Sequence, residues 1–153
     1  MSTASKGFER ITQAIFQRLR EQFGFVRVEG SMKYRGKRSG RKRQIDATAI
    51  KPDGTMSPIE CKLHMRKVGI EDLDKFNSIT HAELEADEGI IVSSSGFDVG
   101  AEAAGRGYNL KLATLNKDAT EHNFILRIGK LLFGGVSRDI QCRFILAEAE
   151  QEQ

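Results

Sequence analysis

The stretch Ile59-Glu60-Cys61-Lys62 decides how this chain is interpreted. Side chains alternate between the two faces of a β-strand, so a strand over residues 56–63 points the first and third residues of the stretch into a core. Glu60 and Lys62 then point together to the opposite face. The run from Ile45 to Ala49 alternates in the same way and places Asp46 on a polar face. Two neighbouring strands would bring Asp46, Glu60 and Lys62 into one polar pocket.

The side chains of this pocket have the chemistry of a phosphate-cleaving site. Two carboxylates and one ammonium group at close range suit a hard divalent cation and a phosphate. The pattern therefore indicates a metal-dependent nuclease. The alternative is a surface ion-pair cluster on an exposed sheet face, because strand alternation by itself often produces one.

The segment just before Asp46 is strongly basic. Residues 31–43 contain no acid, and their cations are Lys33, Arg35, Lys37, Arg38, Arg41, Lys42 and Arg43. Small residues interrupt the run, so we expect a mobile loop. A phosphate backbone is the natural partner of such a loop, and DNA is therefore the expected partner. A solvated charged loop is the alternative interpretation.

The composition is that of a globular domain. The chain has 153 residues, 39% of them hydrophobic and 29% charged, with a net charge of +3. This length fits a single domain over residues 1–153. No apolar stretch is long enough to span a membrane and no signal-peptide segment precedes the first helix, so we expect a cytoplasmic protein without membrane contact. The cysteines, Cys61 and Cys142, are too few for a disulfide framework or a zinc site.

Hydrophobic periodicity predicts helices that alternate with strands. Helices are expected over residues 6–23, 69–85 and 99–106, and strands over 25–28, 43–50, 56–63, 89–93 and 110–115. This order predicts an α/β layered domain with helices on both sides of a central sheet. A further strand-like alternation covers residues 140–146. Residues 116–153 either complete the fold or form a dimer interface, and the sequence leaves both possibilities open.

Together these segments resemble a known group of nucleases. The order helix, strand with Asp46, strand with Glu60-x-Lys62, helix, strand resembles the restriction-endonuclease-like superfamily, the PD-(D/E)xK nucleases. More narrowly, these motifs and the block from Gly89 to Phe97 are similar to the catalytic domain of Mrr-type restriction endonucleases, over about residues 6–115. The helix that carries Glu9 is also similar to the first helix of archaeal Holliday-junction resolvases.

The resemblance implies a three-layer α/β fold, with a central mixed β-sheet flanked by helices. The sequence departs from the family pattern at Ile45, where proline often precedes the aspartate, and at Glu60, where many Mrr-type proteins carry glutamine. Glutamate is the better metal ligand of the two. We expect no separate domain for DNA recognition, which argues against sequence specificity of the restriction type.

The resemblance also implies roles for the site residues. Asp46 and Glu60 would bind Mg²⁺ or Mn²⁺, with the backbone carbonyl of Cys61 as a further ligand, and the metal would polarise the scissile phosphate. Lys62 would position the attacking water or stabilise negative charge on phosphorus. Glu9 would extend the metal site from the first helix, although a solvent-facing glutamate is an equal alternative there. No organic cofactor is expected.

These roles predict a metal-dependent DNA endonuclease, Mrr-like, that is directed by DNA structure or by a partner protein. The alternative is a non-catalytic DNA-binding accessory protein of a repair or defence system on the same fold. The intact acidic and basic site residues favour the enzyme. The basic segment contains only one aromatic residue, Tyr34, which disfavours an RNA nuclease. A homodimer is a further expectation, because cutting two strands generally needs two sites related by symmetry.

Overall fold

The computed structural model describes residues 2–129 and 131–135 and the backbone of residues 142–143, and its central element is a mixed β-sheet. Its strands are β1 (Arg27–Glu29), β2 (Met32–Arg35), β3 (Lys42–Ile45), β4 (Ala47–Ile50), β5 (Met56–Lys62), β6 (Gly89–Ser93), β7 (Leu110–Leu115), β8 (Phe124–Ile128), β9 (Leu131–Gly135) and β10 (Cys142–Arg143). In this part of the chain an eight-stranded sheet has the order β1-β4-β5-β6-β7-β8-β9-β10, and β2 pairs with β3 in a separate two-stranded sheet. The β5–β6 and β6–β7 pairs are parallel, and the other pairs are antiparallel.

Helices cover both faces of the sheet. They are α1 (Thr3–Arg18), α2 (Arg20–Phe23), α3 (Ile70–Asn77) and α4 (Val99–Tyr108). The buried face of α1 packs on one side of the sheet, and α3 and α4 pack on the other. The fully buried strand β6 shows the division, since Ile90 and Val92 belong to the core beneath α1 and Ile91 belongs to the core beneath α3 and α4. The predicted three-layer α/β fold is confirmed, and the continuous apolar run of β6 follows from its burial on both faces.

Local sequence explains where several helices begin and end. The Ser2 hydroxyl accepts a hydrogen bond from the Ser5 N–H at 3.0 Å and caps α1. Gly24 ends α2 in the left-handed region, with φ of 78°, which favours glycine. Asp98 caps α4 by accepting from the Ala101 N–H at 2.8 Å. These caps satisfy backbone groups that the helices themselves leave unpaired.

All three predicted helices have different bounds in the structure. The helix expected over residues 6–23 begins at Thr3 and is interrupted at Leu19, after which α2 continues to Phe23. The helix expected over residues 69–85 is α-helical only to Asn77 and continues as a π-helical segment, Ser78–Glu83. The wider π turn changes the direction in which the last side chains of the segment point. The helix expected to stop at residue 106 runs on to Tyr108 and is closed by Asn109, with φ of 58°, because asparagine tolerates the left-handed region.

The basic segment is ordered, and its interpretation as a mobile loop was wrong. Strands β2 and β3 form an antiparallel hairpin in which Lys33 lies opposite Gln44 and Arg35 lies opposite Lys42. Residues 36–41 form the tip. The strand predicted over residues 43–50 is therefore interrupted at Asp46, where the chain leaves the hairpin and enters the main sheet as β4.

The described part of the C-terminal segment extends the sheet. β8 pairs with β7, and β9 pairs with β8, both antiparallel. Strands β8 and β9 thus extend the sheet, and the apolar side chains of Phe124, Leu126 and Phe133 join the core beneath α1. Of the strand predicted over residues 140–146, only the backbone of residues 142–143 is described, where it pairs with β9, and the remainder lies outside the described residues. No helix of the described chain is long and apolar enough to cross a membrane.

Candidate active site

Asp46 lies at the break between the hairpin and the main sheet. In the pairing of β4 with β5, Ala47 is opposite Ile59, so the next residues along, Asp46 and Glu60, meet across the strands. The Asp46 side chain is almost buried, and its Oδ2 accepts a hydrogen bond from the Cys61 backbone N–H at 2.8 Å. The antiparallel register therefore brings the two carboxylates together, as the sequence predicted, and one carboxylate oxygen of Asp46 is fixed by the backbone of β5.

Lys62 completes the predicted trio and pairs with two carboxylates. Its Nζ atom lies 3.3 Å from Oε2 of Glu60 and 3.7 Å from Oδ1 of Asp72, and its side chain is 18% exposed. Asp72 was not among the predicted site residues. Asp72 lies in the first turn of α3, the helix that follows β5, and it reaches Lys62 at the end of that strand. This position was the only indication in the sequence that Asp72 belongs to the site.

Glu9 reaches the same place from the opposite face of the sheet. Glu9 and Asp46 line the same cleft. Burial, then the charge of Asp46 and then that of Glu60, raise the pKa of Glu9 above its ordinary value. Glu9 is therefore part of the cluster and not a solvent-facing residue on the far side of the helix.

The electrostatics of the cluster are unfavourable without a cation. Burial raises the pKa of Asp46, although the Cys61 N–H and the Lys62 ammonium group both oppose the shift. Burial and the charge of Asp46 also raise the pKa of Glu60, again against the effect of Lys62. The three carboxyl groups thus repel one another in a partly desolvated place, and one lysine does not offset the repulsion. A divalent cation would relieve it.

The donor set fits a magnesium-type ion that is bound only partly by protein. Among the described residues, no group of three or more His, Cys, Asp or Glu side chains is arranged as a ready metal cage. Asp46 already accepts from Cys61, and Glu60 already pairs with Lys62. Mg²⁺ commonly binds through one or two carboxylates and completes its shell with water and substrate phosphate, so an all-protein cage is not required.

The thiol of Cys61 has a structural role. Its side chain packs against the core beneath α1, on the face opposite Glu60 and Lys62. Burial, followed by the charge of Asp46, raises the pKa of the thiol well above its ordinary range, so it stays protonated. The role of the Cys61 backbone carbonyl as a metal ligand stays a prediction.

A cleft of about 440 Å³ opens beside Asp46 and Glu9. Its walls come from α1 and from the base of the hairpin, and its lining residues are Lys6, Glu9, Arg10, Gln13, Gly30, Ser31, Gln44 and Asp46. Lys6 and Arg10 were not among the predicted site residues, although they lie four residues apart on α1, at the spacing of neighbouring turns, and Lys6 lies one turn before Glu9. They place positive charge beside the carboxylates, where a polyanion could enter.

The hairpin presents most of the predicted DNA-binding residues to solvent. The exposed members are Lys33, Arg35, Lys37, Arg38, Arg41 and Lys42. Arg43 differs from them, because it turns toward the protein and its Nη2 lies 3.5 Å from Oε2 of Glu83. The hairpin leads directly into Asp46, so a nucleic acid bound along it would pass close to the carboxylate cluster.

Comparison with known proteins identifies the family of the chain and solved structures with a similar fold. The model of a restriction endonuclease family, the Mrr catalytic domain, matches residues 2–119. The protein of unknown function AF1548 shares the fold with a TM-score of 0.55 and 21% identity, over 68% of this chain and 56% of that chain. VC1899 from Vibrio cholerae shares it with a TM-score of 0.54 and 15% identity, over 71% of this chain and 30% of that chain. A repair endonuclease from Pyrococcus abyssi is similar at a TM-score of 0.47 and 22% identity, over 76% of this chain and 48% of that chain.

The chain corresponds to only part of these solved structures, since it spans 56% of the first and 30% of the second. At these identities the likeness concerns the fold. No curated protein sequence matches the chain.

Proposed function

The chain belongs to the restriction endonuclease family of Mrr catalytic domains, and on this premise we propose that it is a divalent-metal-dependent endonuclease that hydrolyses phosphodiester bonds in DNA. The observation that carries the proposal is the convergence of Glu60 and Lys62 on β5 with Asp46, which directly precedes the paired strand β4, and with Glu9 from α1. Family membership alone would be compatible with a chain that has lost its site. In this chain the Lys62 ammonium group lies 3.3 Å from Glu60, and the charges of Asp46, Glu60 and Lys62 act on one another.

Each residue has a definite task in the proposed reaction. Asp46 and Glu60 would hold Mg²⁺ or Mn²⁺, and Glu9 would extend the acidic site from the helix side. When bound, the metal supplies Lewis-acid activation of the phosphate and a water of lowered pKa. The Lys62 ammonium group donates to the non-bridging phosphate oxygens and stabilises the negative charge that develops there. Its pairing with Asp72 holds it at the site when no DNA is bound.

The basic hairpin and the cleft supply the DNA-binding surface of the proposal. Exposed lysines and arginines contact the phosphate backbone without reading bases, so they position the duplex and add little sequence preference. We therefore propose that the enzyme selects DNA by its structure or through a partner protein. A homodimer would supply a second active site for the second strand.

One observation favours the alternative, a non-catalytic DNA-binding accessory protein. The carboxylate of Glu60 is occupied by Lys62, and the described residues hold no ready metal cage. In that case the cluster would serve as an ion-pair network, and the hairpin would remain the functional surface.

Nuclease assays on a panel of DNA structures separate the two functions. Linear, supercoiled, flapped and four-way-junction DNA would be incubated with Mg²⁺, Mn²⁺ or EDTA and the wild-type protein, Asp46→Asn or Lys62→Ala. Asp46→Asn is the sharper variant, because an asparagine oxygen can still accept the Cys61 N–H while the charge is lost. We expect metal-dependent cutting that both substitutions abolish. Binding without cutting in every condition, unchanged in both variants, would establish the accessory protein.

A further inference from the structure

The tip of the basic hairpin is hydrogen-bonded to one buried acid. Glu83 is the last residue of the π-helical segment, and it is only 4% exposed. Its Oε1 accepts hydrogen bonds from the backbone N–H groups of Arg38, at 3.3 Å, and Ser39, at 3.1 Å. Its backbone carbonyl accepts from the Lys37 N–H at 2.8 Å. Three consecutive amides of the tip are therefore bound to a single residue that lies more than forty positions away in the sequence.

The same carboxylate also holds the returning strand of the hairpin. Its Oε2 lies 3.5 Å from Nη2 of Arg43, which leaves Arg43 turned inward while the other cations of the hairpin are exposed. Beneath this contact, Ile45 of β3 packs with Ile79 and Leu84, and Tyr34 of β2 packs against the same small core. The hairpin is thus fixed at its tip by hydrogen bonds and along its strands by apolar packing.

Gly36 shows how closely the tip and Glu83 fit. A Cβ atom at this position would lie 1.9 Å from Oε1 of Glu83. The carboxylate could move away only by breaking its bonds to the tip amides, because it is buried and held on both oxygens. Residue 36 must therefore lack a side chain for Glu83 to reach the tip.

We propose that Glu83 is the positioning residue of the DNA-binding surface: it fixes hairpin residues 36–41 so that the exposed cations contact the phosphate backbone in one arrangement. This inference rests on the proposed function, and it names the part of the protein that organises substrate binding. Glu83 itself does not touch the DNA. It acts through the backbone of Arg38 and Ser39 and through the side chain of Arg43.

The sign of the expected effect separates positioning from simple electrostatics. DNA affinity rises when a protein loses negative charge, because fewer acids oppose the phosphate backbone. Removal of Glu83 would therefore strengthen binding if its charge were all that mattered. If Glu83 positions the tip, its removal frees several flexible cations that must then be ordered on binding, and affinity falls.

Binding of a fluorescent duplex in EDTA, over a range of salt concentrations, tests the proposal without any dependence on catalysis. The variants are Glu83→Ala, Glu83→Gln, which retains an oxygen acceptor for the tip amides, Gly36→Ala, and the double variant Gly36→Ala/Glu83→Ala. Glu102→Gln is the matched control, because Glu102 is an exposed acid on α4 outside the site. Amide hydrogen exchange at residues 36–41 reports the order of the tip in each variant.

For Glu83→Ala we expect about tenfold weaker binding and a salt slope that is shallower by about two units, which corresponds to the loss of about two phosphate contacts. Tip amides should exchange faster. Gly36→Ala should have the same effect in the wild-type background and little further effect in Glu83→Ala, because both changes remove the same contact. Glu83→Gln should lie between wild type and Glu83→Ala, and it provides the test if Glu83→Ala fails to fold.

Two results would overturn the inference in distinguishable ways. Folded Glu83 variants with wild-type affinity and salt slope would show that the tip does not need positioning, and they would leave the proposed function intact. A wild-type protein that fails to bind any duplex would remove the proposed DNA function and this inference with it.

Discussion

The Nζ atom of Lys62 lies 3.7 Å from Oδ1 of Asp72, an acid on the helix that follows the strand of Lys62. Glu60 is the other partner of the same ammonium group, at 3.3 Å. Asp72 therefore competes with Glu60 for the lysine. In the proposed enzyme this competition leaves the Glu60 carboxylate more available to the metal.

Asp72→Asn should weaken metal binding. Without the second acid, Lys62 pairs with Glu60 alone, and the site also loses one negative charge near the cation. We expect the Mg²⁺ concentration for half-maximal cleavage to rise about fivefold, which corresponds to roughly 1 kcal/mol for one partly exposed ion pair. A metal titration of the initial cleavage rate measures this.

The matched control for Asp72→Asn is Glu71→Gln, a loss of one exposed acid in the same helical turn. Asparagine also retains an oxygen that can accept the Gly69 N–H, so the cap of α3 survives. An unchanged metal requirement in Asp72→Asn, or an equal shift in Glu71→Gln, would contradict the competition between Asp72 and Glu60.

The loop after Lys62 is held by serines of the next strand connection. The Ser95 hydroxyl contacts the backbone carbonyl oxygens of His64, at 2.6 Å, and Arg66, at 2.8 Å. The Ser94 hydroxyl contacts the His64 carbonyl more weakly, at 3.2 Å. The serines therefore fasten a loop, residues 64–67, whose side chains are exposed beside the candidate site.

Ser95→Ala should loosen this loop without unfolding the domain. We expect a loss of at most about 1 kcal/mol in the free energy of unfolding, because the hydrogen bonds are near the surface. Amide exchange at residues 64–67 should accelerate, and the KM for DNA should rise more than kcat falls. Ser94→Ala should have a smaller effect in the same direction. Equal protection of the loop in Ser95→Ala and wild type would contradict this role.

The alternation of side chains along the strands predicted that Asp46 and Glu60 meet. The side chains that face the core fix the register of the strands, and the register places these two residues opposite each other. Asp72 and Glu83 could not be predicted in the same way, since their roles depend on how α3 and the π-helical segment return over the sheet. The hairpin was missed because charges and glycines dominate its sequence. Its apolar residues Tyr34 and Ile45 pack against Ile79 and Leu84, which lie on a distant segment of the chain.

Alanine substitutions at two glycines should change the free energy of unfolding in opposite directions. A Cβ atom at Gly89, in the buried strand β6, would lie 2.8 Å from both Cε2 of Phe76 and Oγ1 of Thr80. Gly89→Ala should therefore cost about 1–3 kcal/mol, as expected for overpacking a core. A Cβ atom at Gly107, in α4, would meet nothing within 4 Å. Gly107→Ala should stabilise by about 0.5–1 kcal/mol through helix propensity, and urea unfolding of the two variants would show whether the signs differ as expected.

The stability that Glu83 provides should depend on pH. Hydrogen bonds from Ser39, and then those from Arg38 and the charge of Arg43, hold the pKa of Glu83 below its ordinary value. Lys37, whose N–H binds the Glu83 carbonyl, has its ammonium group paired with Glu85 at 3.8 Å. A lowered pKa means that the folded state favours the carboxylate, so the stabilisation is present above the unfolded pKa of about 4.3 and is lost as pH falls through the folded pKa. Urea unfolding of wild type and Glu83→Gln should therefore show a stability difference at pH 7 that shrinks as the pH falls below about 4. If the stability difference between wild type and Glu83→Gln has the same size at pH 7 and below pH 4, the hairpin contacts do not require the charged form of Glu83.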